Sequence, residues 1–152
     1  MTNATPPSAG PRAFFTDDHR ACDDLWAAVE VAADRRDRAA ALAAFARFDA
    51  ATRRHLDMEE QVLFPELERA TGMTMGPTQV MRAEHAQMRG LLDQMARAAD
   101  VDLDGLIEHG DTLLMLTQQH NMKEEGILYP MAQAHLAASW EPIGKRLAAY
   151  LG

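Results

Sequence analysis

Two stretches of this chain repeat one pattern of histidine, glutamate and proline. Residues 55–65 read HLDMEEQVLFP, and residues 120–130 read HNMKEEGILYP. Each stretch places a histidine four residues before a glutamate, as His55 with Glu59 and His120 with Glu124. On an α-helix, residues four apart lie on one face and about 6 Å apart along the axis. Both members of each pair can therefore approach one point in the interior of the protein.

Two further histidines match each other in the same repeat. Asp18 precedes His19, and Glu84 precedes His85, which lies 66 residues after His19. The chain therefore divides into two similar helical hairpins, over 16–70 and 77–137, which an approximate two-fold axis would relate. Six side chains from four helices would then converge on one region: His19, His55, Glu59, His85, His120 and Glu124.

This set of side chains is suited to binding metal ions. Ionised carboxylates that are buried together repel each other, and each loses several kcal/mol of hydration. Two divalent or trivalent cations between them offset that penalty, and bridging carboxylates hold such metals roughly 3.5–4 Å apart. Mixed imidazole and carboxylate ligation suits iron, with manganese or zinc less favoured. The alternative is a duplicated bundle whose core histidines are hydrogen-bonded and bind no metal.

The elements that must carry these side chains are helices. Alanine, leucine, methionine, glutamate and arginine dominate the chain, and all of them favour helix. Breaks at 34–37, 71–77 and 100–105 separate the helices, and Asp102 or Asp104 and Ser139 are candidate N-caps. We predict four long helices and a short one, over about 16–33, 38–70, 77–99, 104–137 and 140–150.

Each predicted long helix has one narrow stripe of core-facing residues, which recur mostly at steps of four and three. We call this stripe the seam, and each seam includes one of the four histidines. The seams are Phe15, His19, Cys22, Trp26 and Val29; Phe45, Phe48, Thr52, His55, Glu59 and Val62; Met81, His85, Met88, Leu92 and Met95; and Leu106, Leu113, Leu116, His120, Glu124, Ile127 and Met131. Four such helices with short connections predict an all-α, up-down-up-down four-helix bundle. We expect a flexible N-terminal tail over 1–13, and the bundle with its short C-terminal helix over 14–152.

Composition excludes several classes of function. The chain has 152 residues, 47% of them hydrophobic and 25% charged, as in a single globular domain. Its formal charge of −8 argues against binding to nucleic acid or to an anionic membrane surface. The single cysteine, Cys22, excludes an internal disulfide and suits a reducing compartment. Since the chain shows neither a membrane-spanning run nor a secretory signal, we expect a soluble cytoplasmic protein, either a monomer or a homodimer.

The sequence resembles the hemerythrin family, and more closely its bacterial hemerythrin-like branch. The resemblance covers residues 14 to about 137 and rests on the repeated histidines and glutamates. It implies a four-helix bundle that holds two iron ions, bridged by an oxo or hydroxo group and by the two glutamates. Members of the family carry or sense dioxygen, respond to nitric oxide, or handle iron.

One position departs from the oxygen carriers of that family. The carriers have a second histidine one turn after the third-helix histidine, where this chain has Arg89. The resemblance therefore implies two histidines for each iron and two shared glutamates, with solvent or another carboxylate completing the coordination. This departure argues against reversible oxygen carriage of the carrier type.

The leading hypothesis is a non-haem di-iron protein that binds dioxygen or a related small molecule such as nitric oxide. It would act as a carrier, store or sensor, and it fits a metal-dependent binding protein better than an enzyme. The alternatives are an enzyme-like role in nitric-oxide or oxidative stress defence or in iron–sulfur repair, and the storage or handling of iron. A metal-free bundle that acts as an interaction module is a further alternative.

Acidic and basic residues beside the proposed ligands have two interpretations each. We expect Asp18, Glu60, Glu84 and Glu125 to face solvent or to pair with arginines. The alternative is that they supply an extra ligand or accept a hydrogen bond from a histidine. We expect Arg89 to extend towards solvent at the edge of the seam, and the alternative is that it offers its charge to a bound anion.

The remaining residues near the repeat are expected to be structural. Cys22 and Met88 are predicted to pack in the seam, and Pro65 and Pro130 to kink their helices. Tyr129 could add a phenol to the surroundings of the site. His109 is predicted to be structural and His135 exposed. The candidate walls of a dry pocket for a small ligand, which core packing explains equally well, are Trp26, Phe48, Leu92 and Leu116.

Overall fold

The computed structural model describes residues 9–152, which are almost entirely helical and include no strand. The predicted tail over 1–13 lies largely outside these residues. The first helix begins at Pro11, earlier than the predicted start at about residue 16, and its proline is at a first-turn position that needs no N–H donor. None of the helices within 9–152 is long and apolar enough to cross a membrane.

Within residues 9–152, seven α-helices and two π-helical turns follow one another, and a short 3-10 turn (Ala137–Ser139) precedes the last helix. They are α1 (Pro11–Asp34), α2 (Arg38–Met58), a first π-turn (Glu59–Leu63), α3 (Phe64–Thr71), α4 (Pro77–Ala99), α5 (Leu103–Lys123), a second π-turn (Glu124–Leu128), α6 (Tyr129–Leu136) and α7 (Trp140–Leu151). Because each π-turn joins its flanking helices without a break, the bundle has the four long helices that the sequence predicts, plus the short one. Apart from the start of α1, every predicted boundary agrees to within one residue.

Local interactions explain several of the helix ends. The Asp37 carboxylate accepts a hydrogen bond from the backbone N–H of Ala40 at the start of α2. Gly72 ends α3 in the left-handed region, with φ of 71°, where a residue with a side chain is strained. Asp102 and Ser139 occupy the predicted positions before α5 and α7, but neither side chain caps the helix that follows.

The helices pack as two hairpins that close into a bundle. α1 lies along α2, and α4 lies along α5; α1 also contacts α5 and α6, while α2 contacts α4 and α3 contacts α6. α7 packs against α2 and the first π-turn at one end of the bundle. One apolar cluster includes α7, and a second contains Trp26, Leu56 and Leu106. The fold is therefore the predicted all-α bundle, and its buried histidines and glutamates belong to neither apolar cluster.

The predicted seams are buried with one clear exception. Ile127 is 57% exposed, whereas its neighbour Leu128 is 1% exposed and belongs to the core. The second π-turn adds one residue to the turn and moves the buried face along by one position. The equivalent residue of the first π-turn, Val62, is buried because α7 packs against that turn. Cys22, Leu116 and Met131 are only half-buried.

Candidate metal centre

Each π-turn begins with one of the two glutamates of the repeat. Pro65 and Pro130 follow the two turns, and a proline cannot donate the hydrogen bond of a regular α-helix and crowds the carbonyl four residues before it. A π-turn accommodates this, and the backbone N–H of Phe64 and of Tyr129 donates five residues back, to the glutamate carbonyls. The kink that the prolines predict is therefore accompanied by a wider turn, which occurs at the same place in both hairpins.

The six predicted side chains meet in one buried region. Glu59, Glu124 and His85 have no exposed surface, and the other three histidines are at most 5% exposed. The donor atoms fall into two groups, and within each group they lie within 4.8 Å of one another. The groups are Glu59, His85, His120 and Glu124, and His19, His55 and Glu124. Since Glu124 belongs to both groups, the two groups form one continuous cluster.

The distances at the centre of this cluster suit a shared cation. Each of the four Nε2 atoms lies 3.0 to 3.3 Å from an oxygen of Glu59 or Glu124. Within the described chain, His55 Nε2, Glu59 Oε1 and Glu124 Oε2 are nevertheless buried without a hydrogen-bond partner. An unpartnered buried polar atom is destabilising. A metal ion coordinated by these nitrogen and oxygen lone pairs would remove the penalty, so the residues present fit a metal.

The Nδ1 atom of each of these four histidines faces a carboxylate outside the centre. The pairs are His55 with Asp18 at 2.7 Å, His120 with Glu84 at 2.8 Å, His19 with Glu125 at 2.9 Å, and His85 with Glu60 at 3.7 Å. These carboxylates orient the rings so that Nε2 points inward. The expectation that these acids face solvent or pair with arginines is therefore wrong for Asp18, Glu84 and Glu125, each of which accepts a hydrogen bond from a histidine. Glu60 pairs with an arginine, as expected.

The four outer carboxylates follow the symmetry of the repeat. The acid before the first histidine of each hairpin, Asp18 or Glu84, holds the second histidine of the same hairpin. The acid after each glutamate, Glu60 or Glu125, reaches the first histidine of the other hairpin. The outer carboxylates therefore connect helices within a hairpin and also connect the two hairpins.

The buried carboxylates of Glu59 and Glu124 require positive charge close to them. Burial alone lowers the pKa of His85, but the neighbouring carboxylates of Glu124, Glu59 and Glu60 outweigh it and raise that pKa to about 10. Burial raises the pKa of Glu124, yet His120, His19 and His85 together lower it well below its ordinary value. Protons on histidines neutralise the carboxylates in this arrangement, and a metal cation provides the same compensation with more charge.

Tyr129 is the functional candidate whose part in the site the sequence did not settle. Its side chain is fully buried, and its hydroxyl oxygen lies 2.8 Å from Glu59 Oε2, 3.2 Å from Glu124 Oε1 and 3.0 Å from His19 Nε2. The signal in the sequence is its position five residues after Glu124, which a π-turn, but not an α-helical turn, brings back to the face of that glutamate.

Arg89 is engaged by carboxylates beside the centre. Its Nη2 donates to Asp57 at 2.8 Å and also to Glu60. Together with His85, this arginine outweighs the effect of burial and lowers the pKa of Glu60 to about 2. Arg89 therefore does not simply extend to solvent, and its charge is directed at Asp57 and Glu60 rather than at a ligand.

A small cavity of about 30 Å³ lies beside three of the histidines, His19, His55 and His120. Its other walls include Cys22, Trp26, Phe48, Met88 and Leu113. The expected walls Trp26 and Phe48 are therefore correct, whereas Leu92 and Leu116 do not line this cavity. Gly110 allows the Trp26 indole to lie against α5, because a Cβ there would lie 2.0 Å from the ring.

The other two histidines lie outside both groups of donor atoms. His135 is exposed, as predicted, and His109 is half-buried on α5. Neither contributes to the cluster.

Comparison with known proteins agrees with this geometry. A family model described as the hemerythrin HHE cation binding domain matches residues 11–132. No curated protein and no solved structure matches the chain.

Proposed function

Because this chain belongs to the hemerythrin family of HHE cation-binding domains, we propose that it is a non-haem di-iron protein that binds dioxygen or a related small molecule. It acts as a carrier, store or sensor. The observation that carries this proposal is the pair of overlapping donor groups that share Glu124. Two groups joined by one carboxylate suit two cations, each held by imidazoles and linked through that carboxylate.

The proposed ligands are the six residues of the repeat: His19, His55, Glu59, His85, His120 and Glu124. Imidazole nitrogens and carboxylate oxygens together favour iron, with manganese and zinc as the weaker candidates. Bound iron would supply the redox chemistry and the open coordination that a diatomic ligand requires. The protein contributes fixed ring orientations, because each Nδ1 faces an outer carboxylate.

The cavity supports a small ligand. A water molecule requires about 10–15 Å³ on the same measure, so a cavity of about 30 Å³ has room for two or three atoms. Its walls are mainly apolar, which suits a neutral diatomic molecule and limits the entry of bulk water. A site of this size favours binding over the turnover of a large substrate.

Metal analysis and optical spectroscopy test the proposal. The protein is loaded anaerobically with ferrous ions, dialysed, and exposed to dioxygen. We expect about two irons per chain and a charge-transfer band that appears with dioxygen. His135→Ala is the control, because His135 is exposed and outside the donor groups.

Other outcomes contradict the proposal in different ways. A folded protein that binds no iron would exclude a metal-dependent function, and one iron per chain would indicate a mononuclear site. Repeated consumption of dioxygen with an added reductant would favour an enzyme. Iron that passes readily to a chelator at neutral pH would favour iron handling.

A further inference from the structure

One aromatic position distinguishes the two hairpins at the centre of the site. Tyr129 and Phe64 occupy equivalent places in the repeat, each directly before a proline. The Tyr129 ring lies 5.4 Å from the His19 ring at 33°, and the Phe64 ring lies 5.4 Å from the His85 ring at 30°. The two rings therefore pack alike, and the hydroxyl of Tyr129 is the difference between them.

The hydroxyl has one proton and two carboxylates within reach. A phenol donates a single hydrogen bond, and the distance favours Glu59 Oε2, at 2.8 Å, over Glu124 Oε1, at 3.2 Å. The bond joins the second hairpin to the first, across 70 residues of sequence. Phe64 cannot donate a corresponding bond to Glu124.

Because of this bond, the two glutamates differ in their hydrogen-bond partners. One oxygen of Glu59 accepts from the phenol, and the other, Oε1, has no hydrogen-bond partner within residues 9–152. The unpartnered oxygen of Glu124 is Oε2. Its other oxygen, Oε1, lies 3.0 Å from the Nε2 atoms of both His19 and His120. Glu59 is therefore restrained to offer Oε1 to a cation by a phenol that is not one of the proposed ligands. The 3.0 Å contacts of Glu124 Oε1 are instead made by His19 and His120, which are themselves proposed ligands.

We propose that Tyr129 is a positioning residue whose hydrogen bond to Glu59 orients that carboxylate and makes the two metal positions inequivalent. The proposal rests on the proposed function, since it assigns a role within the same two-metal site. At 2.8 Å from Glu59 Oε2, the hydroxyl of Tyr129 is the donor, because an ionised carboxylate can only accept.

Exchanging the two aromatic residues tests this role. The variants are Tyr129→Phe, Phe64→Tyr and the double exchange, each loaded with ⁵⁷Fe and compared with the native chain. In the native protein we expect two distinct Mössbauer doublets from the two irons. In Tyr129→Phe we expect the doublets to become more alike and the affinity for the weaker-bound iron to fall by 10-fold or more, in the range of about 10–100-fold typical of lost ligand-orienting partners.

The double exchange serves as the rescue, because it returns one hydroxyl to the centre on the opposite hairpin. We expect it to restore two distinct doublets and most of the lost affinity. Thermal unfolding of each metal-free variant shows whether a loss of iron reflects a loss of folding.

Two results would overturn the proposal while leaving the proposed function intact. One is a Tyr129→Phe protein with native iron affinity and unchanged doublets. The other is an intense visible phenolate–iron band in the native ferric protein that Tyr129→Phe abolishes, because that band would make Tyr129 a direct ligand. Failure of the native chain to bind two irons would instead contradict the proposed function.

Discussion

The two hairpins, residues 11–71 and 77–136, carry the same donors in different surroundings. Both present two histidines, a glutamate that opens a π-turn, and an acid that orients the second histidine. They differ at the outer carboxylates, because Glu60 is held by Arg89 while Glu125 forms no ion pair with an arginine of the described residues. The repeat therefore supplies the donors, while single residues outside it make the two halves chemically different.

The two π-turns also differ in whether another helix packs against them. α7 packs against the first π-turn, and Val62 is 2% exposed there. The equivalent residue of the second hairpin, Ile127, is 57% exposed. A helix outside the repeat therefore covers one half of the bundle and leaves the matching position of the other half open.

Substituting Glu59 or Glu124 separately should give the largest difference between the hairpins, measured as the iron that each variant retains. Glu124 belongs to both donor groups and Glu59 to only one. We expect Glu124→Ala to lose both irons, and Glu59→Ala to keep about one, held by His19, His55 and Glu124. Iron per chain after dialysis, by atomic emission spectroscopy, measures this.

Folding controls separate loss of iron from loss of structure in these variants. Removing a buried carboxylate relieves its desolvation penalty, and the histidines that it paired with can lose their protons, so both metal-free variants should fold. Glu141→Ala is the matched control, because the Glu141 side chain is 86% exposed. Equal iron loss in Glu59→Ala and Glu124→Ala would show that the donor groups are equivalent.

The high pKa of His85 predicts how the metal-free protein responds to alkali. Because this pKa is about 10 in the folded chain and ordinarily 6.5, protonation of His85 stabilises the fold fully below about pH 6.5. The stabilisation is lost as the pH rises through 10. We expect the free energy of unfolding of metal-free protein to fall between these values, as measured by urea denaturation.

The iron-loaded protein is the comparison for this pH series. Metal binding requires neutral imidazoles, so the loaded site should gain affinity as protons leave. The free energy of unfolding of the iron-loaded protein should therefore change less over the same pH range. A metal-free protein that is equally stable at pH 7 and pH 10 would contradict the charge balance inferred for this half of the site.

A smaller effect is expected where Trp26 of the first hairpin meets Gly110 of the second. At the equivalent positions the repeat has Leu92 and Phe45. A Cβ at Gly110 would lie 2.0 Å from the indole, so Gly110→Ala should destabilise the protein by about 1–3 kcal/mol through overpacking. Thermal or urea denaturation measures the change.

Gly90→Ala is the matched control for this substitution. Gly90 lies within α4 and has no atom within 4 Å of an added Cβ. Alanine favours helix over glycine, so this variant should gain about 0.5–1 kcal/mol. If Gly110→Ala were also stabilising, the indole would not be confined as the structure shows.

The smallest expected effects compare the covered and uncovered π-turns. Val62→Ala should lower the free energy of unfolding by about 1–2 kcal/mol, through lost burial and a small cavity under α7. Ile127→Ala should change it by less than about 0.5 kcal/mol, as is usual at an exposed site. Comparable losses in the two variants would mean that Ile127 is covered in solution.

The helices and the inner donors were predictable because their signals are local. Helix propensity, the steps of four and three, and the prolines of the repeat are all present within one or two turns of sequence. His55 and Glu59, for example, share a helix face whatever the rest of the chain does. The same reasoning failed at Ile127, because the extra residue of the π-turn shifts the buried face and α7 packs against the first π-turn, which contains the equivalent Val62.

The outer carboxylates were beyond the reach of such reasoning. Glu125 contacts His19 from a position 106 residues away, and its spacing on its own helix resembles that of a solvated residue. The role of Tyr129 was hidden for the same reason, since its hydroxyl reaches a glutamate of the other hairpin. Contacts between distant segments depend on how helices are placed relative to one another.

From the chain alone follow the helical class, the duplicated hairpins and the six donors, because each depends on periodicity along a single helix. Only the packed bundle shows that Glu124 belongs to both donor groups, which acid orients which histidine, and which half α7 covers. These features depend on distances of about 3 Å between residues far apart in sequence, and such distances are decided by side-chain packing at the helix interfaces.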